Sequence, residues 1–270
     1  MRTFPTFFTA TRYALVEHGR NRLAVVLMLV FVPLWVTLAH LTVGDAPARF
    51  RLHATGDLLS ARSSELTQIT GAMNAITAIV GFMMFASTFA NGAFDQRLVM
   101  AGFPRGLLVL AKVACLVLAS AALVGYATLL LCIFWSPRQP GMLAAALFCT
   151  ALTYGAFGVA LGSLLRREVE GMFAIVMLTV TDIILQNPVA SASSDDDIVR
   201  FLPSYGAMQA AVAAGFSSTA LPSYLLLQLA WFAAAAALSL LAFHRNTRII
   251  PTCPPSPVRE AHTAQGAVHV

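Results

Sequence analysis

The sequence predicts an all-α integral membrane protein: six transmembrane helices follow an N-terminal interfacial helix, with both termini in the cytoplasm. Three observations predict it. Hydrophobic residues make up 58% of the 270-residue chain and charged residues only 11%, whereas a soluble domain carries about 25% charged residues to solvate its surface. Six apolar runs come close to the ~20 residues that a spanning helix needs. The basic residues are also distributed unevenly about those runs, which sets an orientation.

The runs lie at 23–41, 69–90, 113–135, 142–165, 171–189 and 223–243. The fifth is the least apolar, because it contains Asp182, Gln186 and Asn187. With the N-terminus inside, the cytoplasmic segments hold Arg2, Arg12, Arg20, Arg22, Arg97, Arg105, Lys112, Arg166, Arg167, Arg245, Arg248 and Arg259. The outer segments hold Arg49, Arg51, Arg62, Arg138 and Arg200, so twelve of the seventeen basic residues fall inside. Residues 1–248 thus read as one transmembrane domain in the plasma membrane. The Pro-rich tail 249–270 reads as a disordered cytoplasmic extension.

Ahead of the first run, Phe4, Phe8, Thr11 and Leu15 repeat at helical spacing, with Thr3 placed to cap and Pro5 suited to a first turn. This pattern predicts a helix lying in the inner interface. Ala46-Pro47-Ala48 resembles a signal-peptidase site, but the preceding 19-residue run exceeds the 7–15 residues of a signal-peptide core. The first run is expected to be a retained span, bent at Pro33. Outside, 42–68 and 190–222 are long and 136–140 is a tight turn; inside, 91–112 is the one sizeable loop.

The basic excess does not point to nucleic acid, because the arginines flank apolar runs and do not cluster with stacking aromatics. Cys115, Cys132 and Cys149 lie in apolar runs and Cys253 stands alone, so neither a disulfide framework nor a metal site is indicated. No serine-nucleophile or zinc-protease motif is found. A phosphate-binding loop needs Lys followed by Ser or Thr, and the single lysine, Lys112, precedes Val113. The chain is therefore expected not to be an enzyme, to bind no cofactor itself, and to depend on another chain for any ATP chemistry.

Two intramembrane patterns could carry function. On the second span Thr70, Asn74, Thr77, Gly81, Met84, Thr88 and Asn91 alternate in steps of four and three, which puts them on one face. Such a face serves either a helix–helix seam or a transport route. On the fifth span Thr179, Asp182 and Gln186 share a face, and Asp182 is expected near the midplane, where a carboxylate costs about 2.5–3.5 kcal/mol on insertion scales. It is either a hydrogen-bonded structural group or a functional one. Gly158 and Gly162 on the fourth span have the spacing of close helix packing.

Between spans two and three, Asp95–Ala101 is expected to form a short helix broken at Gly102 and Pro104, with Lys112 reaching back to the interface. This charged loop (Asp95, Arg97, Gly102, Arg105, Lys112), the six spans, the interfacial helix and the outer segment Phe201-Leu202-Pro203-Ser204-Tyr205-Gly206-Ala207-Met208-Gln209 together resemble an ABC-2 type transporter permease over about residues 1–248. The resemblance lies in order and spacing.

It implies a dimer, homomeric or heteromeric, in which each copy receives a separate ATP-binding subunit carrying ATP and Mg. Asp95, Arg97 and Arg105 would form the coupling loop. Faces of spans one, two and five would border the translocation path, with Asn74, Thr77, Thr88, Thr179, Asp182 and Gln186 as its residues. The outer segment would form short re-entrant helices. Asp182 matches no family motif. Two other readings are a self-contained proton-coupled carrier using Asp182 as relay and a membrane accessory protein that transports nothing.

Overall fold

The computed structural model describes residues 8–9, 11–13, 15–16, 22–52, 56, 58–187, 197–219 and 221–248. The expected interfacial helix falls largely outside them, although those described between 8 and 16 are helical. The expected disordered tail, 249–270, lies outside them entirely.

Seven helices longer than two turns are described: α1 (Arg22–Thr42), α2 (Ser63–Met100), α3 (Arg105–Phe134), α4 (Pro140–Leu164), α5 (Glu168–Gln186), α6 (Tyr205–Phe216) and α7 (Pro222–Arg248). Among the described residues, five of these are long and apolar enough to cross a membrane: α1, α2, α3, α4 and α7. The chain is a multi-pass helical membrane protein. In the apolar windows of α2 and α4, 78% and 67% of residues are buried, against 17% for α1 and 22% for α7. The first pair is therefore the centre of the bundle, and the second lines its periphery.

Small residues explain that centre. A Cβ on Gly158 would meet the carbonyl of Gly81, and one on Gly162 would meet that of Phe85. Two glycines one turn apart thus let the α4 backbone lie directly on α2, the ordinary meaning of this spacing. Gly171 on α5 faces the Phe85 ring, and Ile175 faces Gly81. Asn187, just past α5, bonds Thr70 of α2 (3.2 Å). Rising numbers on α5 meet falling numbers on α2, so these two helices run antiparallel.

Three features differ from the sequence expectation. First, the segment 42–68 holds an antiparallel hairpin, β1 (Pro47–Arg51) with β2 (Leu58–Arg62), in the register Ala48↔Ala61 and Arg49↔Ser60. Its strands turn Ala61 and Leu59 toward the bundle, and Leu52 just beyond β1 packs with Ala213 and Leu221. Second, α2 does not end near residue 90 but continues as one helix of 38 residues to Met100. It stops in a Schellman turn: Gly102 (φ 89°) donates to Val99 O and Phe103 to Leu98 O. Pro104, lacking a donor, precedes α3. The separate stub at Asp95–Ala101 is thus the last part of α2, and the loop shrinks to 101–104. Third, α5 begins at Glu168 and stops at Gln186, so Asp182 sits one turn from the helix end, not at mid-helix.

After α5 the chain forms α6 within the bundle. At about 18 Å long, this 12-residue helix cannot cross a ~30 Å slab, and ten of its residues are buried. Its C-terminal carbonyls are taken by the turn between α3 and α4: Arg138 N donates to Gly215 O (3.2 Å) and Gln139 N to Ala214 O (2.9 Å). Trp135 of that turn stacks on Phe216 at 5.3 Å between ring centroids.

Candidate functional site

Three groups of polar side chains stand out inside this bundle. The innermost surrounds Asp182, which is 1% exposed. Tyr154 of α4 donates its hydroxyl to Oδ2. The backbone N–H of Ser204, the residue before α6, donates to the same oxygen at 3.0 Å. Gln186 Nε2, one turn along α5, donates to Oδ1 at 2.6 Å and reaches Ser204 Oγ at 2.7 Å. Among the described residues every partner of the carboxylate is a donor and none is a basic side chain.

The arrangement is that of a cap. The first N–H groups of a helix lack intrahelical acceptors, and its N-terminus carries a partial positive charge. Asp182 satisfies Ser204 N, and Gln228 of α7 accepts from Ala207 N at 3.2 Å. Gln228 Nε2 in turn donates to Thr153 Oγ1 of α4 at 2.8 Å. One carboxylate and one amide, from two helices, thus hold the start of α6 in the protein interior. An irregular backbone at that depth must be satisfied internally.

The second group borders a cleft of about 300 Å³ between α1, α2 and α5. Trp35, Val180 and Ile183 form its apolar wall, and Thr67, Thr70, Asn74 and Asn187 its polar one. The Oδ1 of Asn74 and the hydroxyl of Thr67 are themselves shut off from the cavity and find no partner among the described residues.

The third group closes the other end of the bundle. Asp95 on α2 is buried and pairs with Lys112 on α3 at 2.5 Å. Lys112 Nζ also lies 5.8 Å from the centre of the Phe243 ring on α7, within cation–π range. Around Asp95, the opposite side of α2 leaves Phe94, Arg97 and Met100 exposed.

The residues picked out from sequence therefore separate. Asp182 and Gln186 meet in one network; Thr179, one turn below, is fully buried and bonds Val176 O. Asn74 borders the cleft. Thr77 is fully buried and returns its hydroxyl to Asn74 O. Thr88 lies near Asp95 and Lys112, with its Oγ1 unpartnered. Asp95 faces inward, Arg97 outward, and only the backbone of Arg105 is described, at the start of α3. Sequence reasoning missed Tyr154, Thr153, Ser204 and Gln228. For Gln228 the signal was present: a lone amide in an apolar run needs an intramembrane partner. Tyr154 stood beside glycines that drew the attention to packing.

These features define a class, a multi-pass helical membrane protein with a short capped helix buried in its bundle. No protein family model matches the chain, and no curated protein matches it.

Proposed function

We propose that the chain is the membrane-spanning permease subunit of an ATP-driven ABC-2 type exporter, moving a substrate across the plasma membrane with a separate ATP-binding subunit. In this reading α5 crosses along with the five long helices, giving six spans with both termini in the cytoplasm, as the distribution of Arg and Lys favours. The observation that carries the proposal is the cleft between α1, α2 and α5. It combines room with an apolar wall and a polar one, the make-up of a small-molecule site. Its outer wall, α1, is the least buried of the long helices and exposes Val26, Leu29, Val30 and Leu34. A second copy of the chain packed there would complete the route.

The other support lies at the α2–α3 elbow. Because α2 is unbroken from Ser63 to Met100, a push on Phe94, Arg97 or Met100 is transmitted along one rigid rod to Asn74 and Thr70 at the cleft. ATP binding on the partner would act there and switch the dimer between inward and outward access. The carrier reading is less favoured, because Asp182 is enclosed by protein donors and stands apart from the cleft.

The test is to tag the tail, extract the protein in mild detergent and identify co-purifying chains by mass spectrometry. A stoichiometric soluble subunit with a phosphate-binding loop is expected. A preparation free of any ATPase, repeated after cross-linking in membranes, contradicts the proposal.

A further inference from the structure

Two cavities meet at Lys112 and Phe243. One, of about 60 Å³, is the more polar of the two and is bordered by Thr88, Asp95 and Gln96. The other, of about 100 Å³, is almost wholly apolar and runs between α3, α4 and α7 past Ala236 to Phe232. From Phe243 to Phe232 is eleven residues of helix, or about 16 Å. That is close to the hydrocarbon depth of one leaflet, half of ~30 Å. The groove opens on the bundle exterior, where Val113 and Leu240 are exposed.

Its polar end is specific in charge. Lys112 presents a cation and Asp95 an anion 2.5 Å apart, so the pair is neutral as a whole and dipolar locally. A headgroup with a phosphate and an ammonium complements both charges, whereas a purely anionic headgroup meets Asp95 with like charge. Thr88, 4% exposed, borders the same cavity, and its hydroxyl finds no partner among the described residues. We infer that this composite groove binds one zwitterionic phospholipid from the leaflet on the side of the α2–α3 turn, its headgroup at Asp95–Lys112 and an acyl chain along α7. The inference requires only that the chain lies in a membrane, not that it transports anything.

Native mass spectrometry of the full chain, delipidated in detergent and given equal amounts of dioleoyl phosphatidylethanolamine and dioleoyl phosphatidylglycerol, tests it. One phosphatidylethanolamine per chain is expected, retained roughly fivefold over the anionic lipid. Ala236→Phe, which fills the groove from its open side, should lower that occupancy about tenfold. The double variant D95N/K112M, which removes both charges together, should keep a bound lipid but lose the preference. Equal retention of the two lipids by the unaltered protein, unchanged occupancy in Ala236→Phe, or no retained lipid with water alone in the cavities would each overturn the inference. If the double variant does not fold, the Ala236 variant decides.

Discussion

The phenol of Tyr154, midway along α4, donates a hydrogen bond to the carboxylate of Asp182, one turn from the end of α5. The same carboxylate oxygen accepts the backbone N–H that opens α6. Three segments far apart in the chain are therefore joined at a single atom. Removing the tyrosine hydroxyl should cost about 1–3 kcal/mol, the typical penalty for an unsatisfied buried group. Tyr154→Phe is thus expected to lower the thermal midpoint in detergent, and Asp182→Ala to lower it further by uncapping α6. The double variant should be less destabilised than the sum, since the residues share one network. Strict additivity would show that they do not.

The contact of α4 with α2 gives a sharper contrast. Gly158 has no room for a methyl group against Gly81, whereas Gly125 on α3 faces open space. Gly158→Ala should destabilise by about 1–3 kcal/mol through overpacking. Gly125→Ala should be neutral or stabilise by up to about 1 kcal/mol, the helix-propensity gain. Unfolding in a denaturing-detergent series measures both, and equal effects would contradict the packing.

At the other end of the bundle the ion pair of Asp95 and Lys112 is sheltered, with side chains 9% and 20% exposed. Breaking such a pair leaves a charge uncompensated and costs about 3–5 kcal/mol, while removing both charges costs far less. Lys112→Met alone should therefore reduce the yield of folded protein sharply, and adding Asp95→Asn should restore much of it. No restoration would mean that the pair is not coupled.

Arg97 points the other way, out of the bundle. If the chain is the exporter subunit proposed above, charge reversal, Arg97→Glu, is expected to abolish ATP-driven transport in membranes while membrane insertion and thermal midpoint stay at the level of the unaltered protein. Surface substitutions of this kind usually change stability by no more than about 0.5 kcal/mol. Normal transport in this variant would remove Arg97 from the coupling surface.

Much of the bundle was legible because lipid imposes a simple rule on composition: apolar runs of span length mark helices, and paired glycines mark close packing. Gly158 and Gly162 are found against α2 as their spacing predicts. The length of α2 was hidden because Asp95 and Arg97 made 91–112 look like a loop with a separate short helix at Asp95–Ala101, although Arg and Gln propagate a helix about as well as Leu. Asp182 stood out as costly, but its partners did not. Tyr154 and Ser204 lie 28 and 22 residues away in the chain, and only the tertiary fold brings them to it. The hairpin of Pro47–Arg62 was obscured by its arginines, which sit on short exposed strands where alternation over five residues is a weak signal.

In the proposed exporter the cleft responds to ATP held by another chain, and labelling at Asn74 tests that most directly. With Cys115, Cys132, Cys149 and Cys253 replaced by alanine, Asn74→Cys in inverted membrane vesicles is expected to react with a small, membrane-permeant thiol reagent, because Asn74 borders the cleft. Thr77→Cys, fully buried one turn away, should stay protected. Adding ATP and Mg should change the Asn74→Cys labelling rate several-fold, and Arg97→Glu should abolish that change. A rate indifferent to ATP, in vesicles where the partner ATPase is present, would contradict the coupling of this cleft to an ATP-binding subunit.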